Sequence, residues 1–552
     1  MTDPHRIRRC LLVTAFFAAL ALVNSFPLVL GLDSSIGEHG DSLFSVWRLA
    51  WVAHQFRIDP RRVFDANIFY PEHSTLAYSD AMLLPALVLA PLQWAGISPL
   101  LIYNLTLLAA FIASALAAYA LVRYLTGSTA AGILGGVVFA FAPHRAEHFD
   151  HLELQFAFWI PLAVLAWHRA SEEDSLRRHL TVAALVSGQI LSCIYHGIFL
   201  VTWLAAITCW WHRRSPGRLP RALGASLAVP VLVLGLYSVP YLESRAVVGE
   251  RPATEVAGYS ARPLDFLSAP ATNRIYGATS DWGANERHLF PGVVAVLLLA
   301  AGLWRISDRR VAIHVVGLIV ALVLTFGFNA GVYRVLYEWV LPFRGLRVPA
   351  RAGILVLLGL AVLGGAGLAR LQRRLTPRRA ALVATVLIAA LTLEYWTTPR
   401  LLPVDPRVGG WYRWLRTMPD AVVFEWPVTV PWRLHDMRDV HYMYRSTQHW
   451  RPLLNGYSGK YPTSYLELLM AMRSFPFTSS LDYLRRRGAT ILVVHERQGT
   501  RPSYDDAIER LHRDPYVAPI AQGRDSGHRV SFFRLLPKGP RQDALAATGD
   551  RP

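Results

Sequence analysis

Residues 143–155 read "PHRAEHFDHLELQ" and set three histidines, His144, His148 and His151, among the carboxylates of Glu147, Asp150 and Glu153. The stretch lies between "AAGILGGVVFAFA" and "FAFWIPLAVLAW", two runs that suit lipid better than water. Ionisable groups kept beside hydrocarbon are costly and tend to mark a functional cavity. A carboxylate placed there can take up a proton, and imidazole with carboxylate suits a divalent cation, although no fixed ligand spacing is present. If the stretch continues the helix that follows it, His144, Glu147, His148 and His151 fall at i, i+3, i+4 and i+7 on one face, with Phe149, Leu152, Phe156 and Trp159 on another. The competing reading is a wet loop whose charges simply avoid lipid.

Three further stretches carry chemistry. In "GLDSSIGEHGDSLFSVWRLAWVAHQF", residues 31–56, Glu38, His39 and Asp41 precede an amphipathic helix starting at Ser42, whose Phe44, Trp47, Trp51 and Phe56 suit a headgroup layer. Asp41 as a helix N-cap is the plain alternative, but capping does not account for Glu38 and His39 beside it. "FRGLRVPAR" offers Arg344, Arg347 and Arg351, whose planar guanidiniums suit a phosphate; pairing with lipid headgroups explains them as well. "HWRPLLNGYSGKYPTSY" holds Trp450, Asn455 and Tyr457, types that stack on and hydrogen-bond a sugar, or pack a loop.

The elements that must position these groups are membrane helices. At 53% hydrophobic and 17% charged over 552 residues, with positive mean hydropathy, the chain is too apolar for a soluble protein. Eleven apolar runs read as spans: roughly 11–31, 100–122, 131–143, 156–168, 180–193, 198–211, 222–242, 289–304, 311–328, 352–369 and 380–397. Arginine-rich loops at 5–9, 123, 168–179, 212–221, 305–310 and 370–379 alternate with poor ones, which places them and the N-terminus in the cytoplasm. That alternation requires residues 81–96, interrupted by Pro85 and Pro91, to lie in the interface or re-enter. The first run is long and shows no small-residue cleavage site, so it reads as a retained span.

Outside the membrane the sequence then gathers loops 32–99, 144–155, 243–288 and 329–351, and everything from 398 onward. Within 398–538, "AVVFEWPV" and "ATILVVHE" read as buried strands, and "SYLELLMAMRSF" and "SLDYLRRRG" as helices, giving a small α/β domain; residues 539–552 read as a disordered tail. The fold class is thus mainly α, a polytopic helical bundle over 1–397 with a C-terminal extracytoplasmic α/β domain. The net charge of +18 lies in loop anchors, with no basic stripe or stacking motif, so nucleic acid is excluded as a partner. The three cysteines lie in or beside apolar runs and build neither a disulfide framework nor a metal site.

A first span followed by an outer loop with an acidic residue, juxtamembrane helices, and a second acidic outer loop two spans later resembles the GT-C superfamily of integral membrane glycosyltransferases. "HGDSLFSVWRLAW", "DANIFYPEHSTLAYSD", "PHRAEHFDHLELQ", "LPFRGLRVPAR" and "HWRPLLNGYSGKYP" resemble more closely a large bacterial group of GT-C-like membrane proteins. The resemblance implies a GT-C-like fold and transfer of a sugar from a polyprenyl-phosphate donor to a glycan, lipid or protein acceptor outside the bacterial cytoplasmic membrane. It carries the first acidic position to Asp41 and the second to Glu147 or Asp150. The histidine richness of the second loop departs from better-known members and leaves metal and base open. Arg344, Arg347 and Arg351 would then meet the donor phosphate, a divalent cation would sit on His144, His148 and His151, and Glu38, His39, Trp450, Asn455 and Tyr457 would contact substrate. The rival classes are a transporter or flippase of a lipid-linked substrate, with the cluster relaying protons, and a non-catalytic envelope assembly protein. Against the transporter, the ionisable residues concentrate at the outer edge, and the spans hold few beyond His196, Glu243 and His314.

Overall fold

The apolar runs fold as helices because Leu, Ala and Val dominate them and because lipid gives a backbone N–H or C=O no partner outside its own helix. The computed structural model describes residues 4–304, 306–405, 409–428, 437–497, 501–525 and 527–538; the expected disordered tail, 539–552, lies outside them. The eleven runs correspond to helices Pro4–Ser25, Pro99–Thr126, Thr129–Phe141, Trp159–Glu172, Leu176–Ser192, Ile194–His212, Leu219–Val248, Val293–Leu303, Arg309–Phe326, Gly353–Gln372 and Pro377–Glu394. Among the described residues, six helical segments are long and apolar enough to cross a bilayer by themselves: Ile7–Ser25, Pro99–Thr126, Ile194–His212, Pro216–Val248, Arg309–Ala330 and Pro349–Gln372. The other five helices are shorter or carry more charge. The first helix stops at Ser25, short of the expected 31, with Pro27 following and a 3-10 turn over Leu28–Gly31. Helix Leu83–Trp94 has 12 residues, about 18 Å at ~1.5 Å each, against a hydrocarbon layer of about 30 Å. That length fits an interfacial or re-entrant segment.

One compact unit comprises Met1–Ser45, Asp80–Leu242 and Gly249–Val404. Its centre is the helix Gly353–Gln372, which is buried along its apolar length. Where Val293–Leu303 crosses it the backbones touch: a Cβ on Gly302 would lie 2.0 Å from the Leu363 carbonyl oxygen, and one on Gly367 2.2 Å from that of Leu298. In lipid, where apolar side chains gain little by leaving solvent, such backbone contact is a main source of helix association. Two of these helix starts are capped by side chains: Ser128 Oγ accepts from Ala131 N (3.2 Å) and Asp308 Oδ1 from Arg310 N (2.8 Å). Strand β1 (Ser35–Gly37) pairs antiparallel with β2 (Leu401–Pro403), tying the loop after the first helix to the segment after the last. This pairing holds the start of helix Gly40–Ile58 in place.

The second unit comprises Val46–Ser79, Glu243–Val248 and Asp405–Pro552. Strands β3 (Val423–Trp426), β4 (Ile491–His495), β5 (Val517–Asp525) and β6 (His528–Leu535) form a sheet in the order β3-β4-β6-β5, with β3 and β4 parallel and the other pairs antiparallel. β3 and β4 are buried throughout, which is why they read as continuous apolar runs. The β5–β6 hairpin has no such signature, because the edge strand β5 is mostly half-exposed or exposed and mixes apolar residues and Pro519 with Gln522, Gly523, Arg524 and Asp525. Helices Thr463–Ala471 and Thr478–Arg486 occupy the two stretches that read as helical.

Residues 46–79, which the sequence assigns to an outer loop of the membrane domain, belong to this second unit. Tyr70 N donates to Leu453 O (2.9 Å) and Phe69 N to Asn455 O (3.1 Å), and a Cβ on Gly456 would meet the Phe69 ring at 2.5 Å. The aromatic face of helix Gly40–Ile58 is not a headgroup belt either: Phe44, Trp47 and Trp51 are buried. Aromatic residues at helical spacing fit a protein core as well as a lipid interface, and here the core takes them.

Candidate functional site

The cluster is built wholly within the first unit. Asp41 stands in the first turn of helix Gly40–Ile58, where the helix dipole favours an anion. Its Oδ2 lies 3.1 Å from His151 Nε2 and 3.1 Å from His39 Nδ1, and the two imidazoles stack at 6.1 Å with a 21° interplanar angle. Burial pushes the Asp41 carboxyl up, but His151 and His39 outweigh it and hold it well below the usual range. For His151 burial favours the neutral ring, yet Asp41 and then Glu286 push it up to about 9. His39 is raised as well, chiefly by its hydrogen bond to Asp41. At neutral pH the pair is carboxylate and imidazolium.

The histidine stretch is not one helix. It breaks into Pro143–Glu147 and Leu152–Gln155, with His148 and His151 in the turn between. Arg145 makes the break: its buried guanidinium donates to the carbonyls of Leu154 (2.6 Å) and Gln155 (3.1 Å), folding the stretch back on itself. The three rings still converge, His144 on His148 at 4.8 Å and His148 on His151 at 5.8 Å, both edge-on. Burial lowers His144 to about 4 and His148 well below its usual value, so both are neutral. Among the described residues, Nδ1 of His144, Nε2 of His148 and Nδ1 of His151 have no hydrogen-bond partner.

The hub is a residue the sequence reading passed over. Glu286, from the 243–288 loop, has φ +71°, a backbone conformation that costs a non-glycine residue on the order of 1 kcal/mol or more and is kept where the surroundings impose it. Its carboxylate accepts two bonds from Arg351, Nε to Oε2 at 2.8 Å and Nη2 to Oε1, and lies 3.5 Å from His148 Nδ1 and 3.8 Å from His151 Nε2. Burial would raise this carboxyl, but Arg351 and the two histidines lower it far more. The only signal in the sequence was the charged run "NERH" ahead of an apolar helix.

The three arginines of "FRGLRVPAR" are therefore not equivalent. Arg351 is buried and committed to Glu286, with its guanidinium 5.0 Å from the Tyr195 ring. Arg347 is partly open: Nη2 is 3.8 Å from Glu286, Nη1 is 3.9 Å from Glu255, and the guanidinium lies over Tyr259. Arg344 turns away and donates to the carbonyls of Tyr337 and Glu338, holding the C-terminal end of helix Val332–Trp339.

Glu147 and Asp150 also part company. Glu147 Oε1 accepts from Glu286 N (3.0 Å) and lies 2.9 Å from His288 Nδ1, so it supports the strained Glu286 backbone. Asp150 Oδ1 accepts from Ser42 Oγ (2.6 Å), next in the chain to Asp41, and burial raises its pKa. A Cβ on Gly37 would lie 1.7 Å from Asp150 Oδ1, so any side chain there would displace the Asp150 carboxylate. Glu38 stands at the rim, 3.9 Å from Arg400.

The expected divalent cation finds no ready-formed ligand set among the described residues. Among the described residues no three or more His, Cys, Asp or Glu are arranged to hold a metal ion. The rings of His144, His148 and His151 meet edge-on, and the carboxylates nearest them are already neutralised by Arg351 and the His151 imidazolium.

In the second unit, Asn455 is a structural residue. It is fully buried, its Nδ2 donates to Glu425 O (2.9 Å) and Asp439 Oδ1 (3.0 Å), and its Oδ1 accepts from Glu425 N (2.7 Å), which leaves it nothing to offer a sugar. Tyr457 is half-buried and its backbone N–H points to Met443 Sδ (3.2 Å). Trp450 is half-exposed and stacks on His54 at 4.3 Å.

A family model described as "Domain of unknown function (DUF6311)" matches residues 47–342. Two solved structures are similar over nearly the whole chain. ArnT from Cupriavidus metallidurans in the apo state is 11% identical, with 95% of this chain and 97% of that one covered at a TM-score of 0.46. The same protein bound to undecaprenyl phosphate is 14% identical, with 94% and 97% covered at a TM-score of 0.46. No curated protein sequence matches the chain.

Proposed function

The chain belongs to the DUF6311 family, and from the geometry of its outer-loop cluster we propose that it is a membrane glycosyltransferase moving a sugar from a polyprenyl-phosphate donor to an acceptor hydroxyl. In this reading the protein lies in a bacterial cytoplasmic membrane with its N-terminus inside and the cluster outside. The acceptor is a glycan, lipid or protein of the envelope.

The observation that carries the reading is the partly buried chain of charges Asp41–His151–Glu286–Arg351, assembled from loop segments far apart in sequence. The acceptor oxygen attacks the anomeric carbon, the bond from that carbon to the phosphate oxygen breaks, and the lipid phosphate departs with the electron pair. Asp41 takes the acceptor proton. Its low basicity suits a hydroxyl that becomes acidic only as the new C–O bond forms, and His151 keeps the carboxylate oriented. Arg347 is the guanidinium with room for the departing phosphate, while Arg351 is a positioning residue that acts through Glu286. The test is transfer from a radiolabelled polyprenyl-phosphate sugar by purified protein in proteoliposomes. Asp41→Asn should lower the rate by on the order of a hundredfold or more while the protein elutes as the folded species; an undiminished rate removes the reading.

One observation favours the transporter alternative. His168 Nε2 and His314 Nε2 lie 3.0 Å apart, buried towards the C-terminal end of helix Trp159–Glu172 and the N-terminal end of helix Arg309–Phe326, and paired ionisable groups packed among membrane helices are a feature of proton-coupled carriers. That alternative requires lipid-linked sugar to cross reconstituted vesicles without sugar transfer, and to stop crossing in His314→Phe.

A further inference from the structure

The second unit contains a cavity of about 830 Å³ that the reaction outlined above does not use. One wall is aromatic: the rings of His54 and Trp450 stack at 4.3 Å and 16°, with Trp51 tilted against Trp450 at 5.8 Å. Trp450 is held at φ +56°, a left-handed conformation rare for a bulky residue, so the chain accepts local strain to present that ring.

Two lining residues are buried with a polar atom left over. His449 Nδ1 accepts from Arg451 N (2.9 Å), which leaves the ring proton on Nε2, and that nitrogen has no partner among the described residues. Asn67 Nδ2 donates to Ser446 Oγ and Arg451 O, while its Oδ1 has no partner among them. A buried donor and a buried acceptor without partners are each costly unless a ligand supplies the missing bond.

The formal charges of the lining cancel, Arg62, Arg416 and Arg451 against Asp59, Asp65 and Glu72, and most of these groups are held by hydrogen bonds. Asp65 holds Arg62 (3.4 Å) and the Ser74 N–H (3.0 Å), and Glu72 accepts from Ser464 Oγ (2.6 Å). Arg451 donates to the carbonyls of Leu415 and Pro419, and Arg416 Nε to that of Gln448. Burial and Arg416 lower His54 to about 4, and burial lowers His449 to about 3, so neither ring adds charge at neutral pH. A phosphate or polyanion would meet Asp59, Asp65 and Glu72 there as well as Arg62, Arg416 and Arg451. A ring with apolar C–H faces and hydroxyls at its edge finds a stacking wall, a donor and an acceptor.

We propose that this cavity binds a neutral saccharide, with a pyranose ring against Trp450 and His54 and its hydroxyls on His449 Nε2 and Asn67 Oδ1. The inference does not rest on the transferase reading, since a transporter or an assembly protein could hold a glycan in the same way.

The test uses full-length protein in a polyoxyethylene detergent, which carries no sugar. Maltohexaose, cellohexaose, chitohexaose and mannohexaose are added separately, with a heparin hexasaccharide as the anionic control, and binding is read by saturation-transfer NMR and tryptophan fluorescence. At least one neutral hexasaccharide should bind, and Trp450→Ala and His54→Ala should each weaken it by about tenfold. His54 is the safer of the two, because its ring is half-exposed and its removal leaves the Trp450 backbone untouched. Asp41→Asn should bind as the native protein does, even if it abolishes transfer, so failure of one reading is separable from failure of the other. The proposal is overturned if no neutral hexasaccharide binds at millimolar concentration, if the heparin hexasaccharide binds more tightly, or if folded Trp450→Ala and His54→Ala both bind normally.

Discussion

Asp41→Asn loads the charge chain most directly, and its effect on stability has a sign and a pH window that follow from the geometry. His151 rises from an ordinary 6.5 to about 9 because Asp41, with help from Glu286, outweighs the burial that would lower it. At about 1.4 kcal/mol per tenfold change in proton affinity, that is about 3 kcal/mol in favour of the imidazolium. A base whose folded pKa is raised stabilises the fold fully below its unfolded value, near 6.5, and loses that contribution as pH climbs through about 9. The Asp41 carboxyl, held down in the folded state, contributes above its unfolded value near 3.8 and loses this as pH falls. The native protein should therefore exceed Asp41→Asn by up to about 3 kcal/mol between about pH 5 and 6.5, with the gap closing towards pH 9.5. The assay is intrinsic-fluorescence unfolding in one detergent across pH 5–9.5, with His151 followed by NMR of the 13Cε1-labelled protein. In the variant His151 should titrate at 6.5 or below, because burial then acts with less opposition. A stability gap constant across that range, or a His151 that still titrates near 9, would refute the reasoning.

The remaining predictions touch other links of the cluster. Glu286→Gln leaves the buried Arg351 guanidinium without its carboxylate, and loss of one partner of a buried pair should cost about 3 kcal/mol or more in unfolding measurements. Arg347→Ala should weaken donor binding with little change in thermal stability, whereas Arg351→Ala should lower both; equal behaviour of the two would contradict the distinction between them. Gly37→Ala should push Asp150 off Ser42 and cost about 1–2 kcal/mol, and that cost should shrink in an Asp150→Ala background, where only the Ser42 hydroxyl still crowds the new methyl, a non-additivity that a double-mutant cycle measures. Transfer should persist in excess chelator; loss of activity restored by a divalent cation would reinstate the cation that this arrangement of residues disfavours.

What the sequence determined by itself is whatever depends on neighbours along the chain. A helix in lipid satisfies its backbone within one segment, so the apolar runs announced the membrane helices, and the buried strands β3 and β4 were legible as continuous apolar stretches. The histidine stretch was conspicuous for the same reason, its residue types being out of place beside hydrocarbon. What the stretch does with those residues was decided elsewhere. A regular helical face was the local extrapolation, and Arg145, by taking carbonyls nine and ten residues ahead, broke it. Only tertiary structure could put Glu286 between Arg351 and His151, or give residues 46–79 to the same unit as Leu453 and Asn455, because those contacts join positions from tens to hundreds of residues apart and leave no periodicity to read. The three arginines looked alike in the sequence for that reason. A guanidinium's role is set by the acceptor it finds, and Arg344, Arg347 and Arg351 found a helix end, a partly open edge and a buried carboxylate.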